Sequence, residues 1–139
     1  MSNCASDFRA FLLADSGIAA AVGTRIHVGS VPQPTAAPYI WIGRASVAHE
    51  RTLDQGQGEQ PFEERWDLEV WGESLGDVQD LAELIRGLDC AKGAFGDGTI
   101  QLLYVEDHAD DYSPKGLFSD EGLDLAAFSI TLYGYVPAA

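Results

Sequence analysis

Thr24-Arg25-Ile26-His27, then Pro32-Gln33 and Pro38-Tyr39-Ile40-Trp41-Ile42, then Arg65-Trp66-Asp67-Leu68-Glu69-Val70-Trp71-Gly72 are the blocks that decide the fold. In the last, Trp66, Leu68 and Val70 alternate with Arg65, Asp67 and Glu69, the period-two pattern of a strand with one buried and one wet face. Trp71 breaks the alternation by placing an indole on the polar side, where either the helix that follows shields it or a partner does. In the middle block, Tyr39 to Val47 reads as a strand apolar on both faces. Tyr39 and Trp41 lie on one side and Ile40 and Ile42 on the other, as in a central strand or one covered by a partner. Ile26 to Gly29 reads as a short extended segment.

Between these blocks the sequence changes character. Pro32, Pro34 and Pro38 each fix their own φ and turn the preceding residue away from helix, so the segment from Val31 to Ala37 is expected as an extended loop. Ala48 to Glu64 is a long polar interruption without apolar periodicity and contains Arg51, Leu53, Asp54 and Phe62. Loops of that length are either functional or without fixed structure.

Working outward, Ser6 to Val22 has the spacing of one helix through Phe8, Phe11, Leu12 and Ile18, with Ser6 or Asp7 as its cap and Gly23 as its stop. Ser74-Leu75-Gly76-Asp77 has capping-box form. Behind it, Val78, Leu81, Leu84, Ile85 and Leu88 make the apolar stripe of a second amphipathic helix. A glycine-rich turn spans Lys92 to Gly98. Thr99 to Glu106 then reads as a strand with Ile100, Leu102 and Tyr104 on one side, followed by an acidic loop over Asp107 to Asp124. Leu125 to Val136 closes the sheet with Phe128, Ile130 and Leu132 on its inner face. Strands outnumber helices and come in near-sequential groups. This predicts an α+β fold, a single domain over residues 1–139 with a mainly antiparallel sheet packed by two amphipathic helices.

Composition narrows the function. The chain has 139 residues, eight basic and 22 acidic, for a formal net charge of −14. Residues 1–70 carry nine acids and five bases, and residues 71–139 carry thirteen acids and three bases. Nucleic-acid binding gains most of its affinity from Lys and Arg on phosphates, so specific DNA binding is not expected here. No apolar run is long enough for a membrane-spanning helix. The first residues lack the basic and apolar regions of a secretory signal, which places synthesis in a cytoplasm. Cys4 and Cys90 are too far apart in sequence for a metal-ligand or redox motif. Cys90, just past an apolar helix, reads as a packed residue, and Cys4 as part of a frayed end.

Catalytic chemistry finds little support. His27, His49 and His108 stand apart and no H-x-x-x-H spacing occurs; His27 reads as a packed side chain. The strongest candidate is Glu106, Asp107, His108, Asp110 and Asp111, whose carboxylates suit a hard divalent cation but lack the EF-hand pattern. Acid clusters at strand ends are commonly solvated. No phosphate loop, nucleophile elbow or placed cysteine nucleophile occurs, so neither an enzyme nor a cofactor is expected.

The helix ending in Gly23-Thr24-Arg25-Ile26, the Pro32-Gln33 pair, Pro38-Tyr39-Ile40, the Thr52-Leu53-Asp54 start of the polar loop and the Trp66–Gly72 block together resemble the tail-completion or tail-terminator family of long-tailed phages and gene transfer agents. The resemblance covers nearly the whole chain through the order and spacing of short blocks. It implies a homo-oligomeric subunit, typically a hexameric ring, at the head-proximal end of the tail tube. Its partners would be the tail tube protein and head connector proteins, with DNA only passing through the lumen. Its place would be the virion head–tail junction, after assembly in the host bacterial cytoplasm. On that reading Tyr39, Trp41 and Trp71, with Arg51, Leu53, Asp54 and Phe62 of the polar loop, meet neighbouring subunits or line the lumen. Two alternatives stay open: a head–tail connector or adaptor, and, from another class, a monomeric acidic metal-binding domain or small enzyme using Glu106 to Asp111.

Overall fold

The computed structural model describes residues 3–31, 36–48, 63–113 and 124–138. In chain order they form α1 (Cys4–Leu13), α2 (Ser16–Val22), β1 (Ile26–Val28), β2 (Tyr39–Ala48), β3 (Glu63–Gly72), α3 (Leu75–Arg86), β4 (Gly93–Phe95), β5 (Gly98–Ile100), β6 (Leu102–Ser113) and β7 (Asp124–Tyr133). Five strands make one sheet in the order β1-β2-β3-β7-β6, and β4 and β5 form a separate small hairpin. All pairs in the main sheet are antiparallel except β1 with β2, which is parallel. The α+β architecture expected from the pattern is present.

Local chemistry explains where the elements begin and end. The expected single N-terminal helix is two. Asn3, rather than Ser6 or Asp7, caps α1, its side chain accepting from Ser6 N at 2.9 Å. Asp15 then captures the amides of Gly17 at 2.9 Å and Ile18 at 3.1 Å, which opens a new N-terminus where the helix would otherwise have continued. Gly23 ends α2 with φ +61°. Ser74 caps α3 as its sequence predicts, accepting from Asp77 N at 3.2 Å.

The two arginines flanking the first turn hold β1 in place through the backbone. Arg9 Nε donates to the Ile26 carbonyl and its Nη2 to the Thr24 carbonyl, both at 2.9 Å. Arg25 Nε donates to the Pro38 carbonyl at 2.9 Å, tying the start of β1 to the start of β2.

Apolar contact then fixes the layers. Phe8 meets the Trp66 ring edge-on at 5.7 Å and the Phe95 ring at 5.5 Å, joining α1 to β3 and to the small hairpin. Val78, Leu81, Ala82 and Ile85 of α3 are buried in the same core as Leu68, Val70, Phe128 and Ile130. Helices therefore pack on one face of the sheet, the face of Ile40, Ile42, Trp66, Leu68 and Val70.

Two strand expectations shift. Gln101 is a bend between β5 and β6, so the alternation slips there. Leu103 and Val105, not Leu102 and Tyr104, point toward the core, and Tyr104 is 48% exposed. The acidic stretch from Asp107 is not a loop from its start, because β6 carries on to Ser113 with a register irregularity after His108.

Candidate functional site

The face of the sheet opposite the helices carries the distinctive chemistry. Strand pairing puts His27 beside Trp41, Tyr39 opposite Trp71, Trp41 opposite Glu69 and Gly43 opposite Asp67. Beyond them lie Leu125, Ala127, Ser129, Thr131 and Tyr133 of β7, then Leu102, Tyr104 and Glu106 of β6. Sequence reading offered Tyr39, Trp41 and Trp71 as contact residues, and the fold brings all three together on this face. Arg51, Leu53, Asp54 and Phe62 lie outside the described residues.

Their geometry is specific. The rings of Tyr39 and Trp71 stack with centroids 6.2 Å apart and planes 12° apart, and His27 meets Tyr39 edge-on at 6.1 Å. Trp71 is thus sheltered by its cross-strand neighbour; α3, the shield expected from sequence, lies on the other face. Its Nε1 donates to Glu69 Oε1 at 3.1 Å. Burial is the main cause that pushes the Glu69 carboxyl above its ordinary range; the Trp71 bond pulls it back and the neighbouring Asp67 adds to the rise. His27 Nε2 is buried without a hydrogen-bond partner among the described residues.

Trp41 depends on a glycine. Its indole Nε1 donates to the Gly29 carbonyl at 2.8 Å. The benzo edge occupies the space above Gly43, where a Cβ would sit 2.6 Å from Cη2 and 2.7 Å from Cζ2. Any side chain at position 43 would displace the ring. A second aromatic pair, Tyr104 and Tyr133, meets edge-on at 5.8 Å toward the far end of the same face.

Of the expected metal candidates, Glu106 and Asp107 are the two whose side chains are described, and they lie on opposite faces. Along β6 successive side chains alternate between faces. Asp107 points to the helix side, where its carboxylate pairs with Arg86, which also holds Glu83 and lies over the Phe128 ring at 5.7 Å. Glu106 belongs to the open face, and the side chains of His108, Asp110 and Asp111 lie outside the described ones. Among the described residues no group of three or more His, Cys, Asp or Glu could hold a metal ion. The described clefts, one along α3 lined by Gln79, Glu83 and Arg86 and one between α2 and α3 lined by Ala21 and Leu84, contain no histidine, cysteine or hydroxyl.

Two polar clusters escaped the sequence reading. Asp7 is 2% exposed, and its carboxylate accepts from the Tyr135 hydroxyl and from Asp97 N, the latter at 3.0 Å. Gly96, at φ +60°, sits so close that a Cβ would lie 2.6 Å from the Asp7 backbone. The available signal was an acid on the apolar side of a helix together with a Gly-Asp-Gly turn. The other cluster joins Arg44, Glu64, Trp66 and Cys4. Arg44 Nη2 lies 3.0 Å from Glu64 Oε1, and its guanidinium sits over the Trp66 ring at 5.4 Å. Cys4 is buried and Cys90 exposed, the reverse of the expectation; Cys90 instead turns the chain at φ +69°. Burial, and next the Glu64 carboxylate, push the Cys4 thiol far up, so it is an inert packed group.

Fold and surface define a small α+β domain with helices on one face of a five-stranded sheet and aromatic side chains among carboxylates on the other. A family model described as tail completion protein gp17 matches residues 7–128, and the chain belongs to that family. It is accordingly a structural protein of the phage-tail kind. No curated protein matches the sequence significantly. Among solved structures, a chain from the virion of a native gene transfer agent particle is similar, with TM-score 0.60 and 18% identity over 96% of this chain and 100% of the other. That likeness is one of fold. No helix among the described residues is long and apolar enough to cross a membrane.

Proposed function

We propose that this protein is a tail terminator subunit. It assembles into a ring, six-membered by resemblance to its family, on the head-proximal end of the tail tube and joins tube to head. It acts by contact and not by catalysis. The observation that carries this reading is the sheet face opposite the helices, where buried Tyr39 stacks on half-buried Trp71 beside half-buried Trp41 with no helix over them among the described residues. A domain with such a face gains by placing it against another protein. A ring needs heterologous contacts, in which one surface meets a different surface of the next copy. The polar-loop residues Arg51, Leu53, Asp54 and Phe62 belong to the same contact or to the lumen. Net charge fits a conduit as well: a wall dominated by carboxylates repels passing DNA instead of holding it.

Sedimentation of the purified protein, alone and with tail tube protein, tests the ring. A concentration-independent monomer in both conditions would sink it. Imaging of particles made without the protein separates the two roles open to the family. Overlong tails identify a terminator, whereas tails of normal length without heads identify a connector.

A further inference from the structure

The pairing of β2 with β3 builds a similar set of side chains on both faces, with one difference. On the helix side, Arg44 lies over the Trp66 ring and pairs with Glu64. On the open side, the half-buried Trp41 indole lies along β2 over Gly43, while the neighbouring strand puts Glu69 opposite Trp41 and Asp67 opposite Gly43. Two acidic residues thus stand opposite the segment bearing this indole, Glu69 also accepting from Trp71 Nε1, and no salt bridge to either is present among the described residues. Arg65, on the same face, pairs with Glu63 at 3.0 Å. An indole near carboxylates attracts a guanidinium or ammonium through the ring quadrupole and the charges together.

We infer that Trp41, Asp67 and Glu69 form a seat for an arginine or lysine side chain presented by a different protein with a basic surface. This rests on the reading of the open face as an assembly contact and specifies what it meets. The net charge of −14 favours a basic partner over a second copy as the occupant. Arg9 and Arg25 are held by backbone carbonyls, and Arg44, Arg65 and Arg86 are paired with acids of their own chain. Among the described residues that leaves Lys92, on a chain of net charge −14. A cation in the seat would also relieve the burial cost that raises the Glu69 carboxyl.

The test titrates the full-length protein with an oligo-arginine peptide at low salt, following tryptophan fluorescence and heat. Asp67→Asn with Glu69→Gln, and separately Trp41→Leu, should each weaken binding roughly five- to thirtyfold. Asp80→Asn with Asp97→Asn removes as much charge at exposed positions off this face and should weaken it less than about twofold. Equal weakening by both double variants would overturn the seat, because only bulk charge would then be at work. Unchanged binding by Trp41→Leu, verified as folded by thermal melting, would overturn it too; if that variant does not fold, the two double variants decide. Sedimentation of the same variants separates this inference from the ring. If Asp67→Asn with Glu69→Gln dissociates the protein's own oligomer, the face meets a second copy and the inference fails while the assembly reading stands. If the unsubstituted protein is a monomer with and without tube protein, the assembly reading fails and the peptide result alone judges the seat.

Discussion

Trp66 and Trp71 lie five positions apart on one strand, so the pleat sends them to opposite faces, and they differ in every respect that matters. Trp66 is buried, edge-on to Phe8, and carries Arg44 over its ring. Trp71 is half-buried, stacked on Tyr39 and hydrogen-bonded to Glu69. One indole joins sheet to helix; the other finds its described partners within its own sheet. The difference teaches that this sheet has one face committed to the helices and one that the described residues leave partly uncovered.

Substitutions can break or sharpen that contrast. Trp66→Ala should cost about 3–5 kcal/mol in a urea melt, since it empties the centre of the helix-facing core. Asp7→Ala should follow at about 2–3 kcal/mol, because it removes the buried acceptor that the Tyr135 hydroxyl and the Asp97 amide share. Gly43→Ala should cost about 1–2 kcal/mol by forcing Trp41 off the sheet, and should visibly change tryptophan emission. Trp71→Ala should cost only about 1 kcal/mol in the melt while weakening co-sedimentation with tail tube protein. A Trp71 cost equal to that of Trp66 would erase the distinction between the faces.

The smallest effect is one of pH. The folded Glu69 carboxyl titrates above its ordinary range, so between the unfolded and folded values the folded protein holds more protons. Stability from this group is therefore present below the ordinary glutamate range and declines as pH rises through the folded value. Glu69→Gln should flatten that part of the stability–pH curve, and an unchanged curve would show that Glu69 is not shifted.

Much of this was legible in the chain. Alternation in β3, the stripe and cap of α3 and the closing strand were all readable, because each is a local periodicity with a local boundary signal. Trp71 stood out as an indole on a polar face, and Tyr39 and Trp41 as members of a strand apolar on both faces. That Tyr39 would shelter Trp71 was not readable, since it depends on cross-strand register. Nor was the break at Asp15, where a side chain outcompetes helix continuation, or the role of Asp7, whose partners lie at the far end of the chain. Gln101 shifted the β6 alternation by one residue, which no period count within the strand could reveal.

The Asp7–Tyr135 bond closes a contact across 128 positions of sequence. The two ends of the described chain therefore meet at one corner of the molecule, beside the β4–β5 turn. A label fused near either end would report from the same spot. In an image of an assembled particle, both labels should fall on a single side of each subunit, which makes them two independent markers of which way the subunit points.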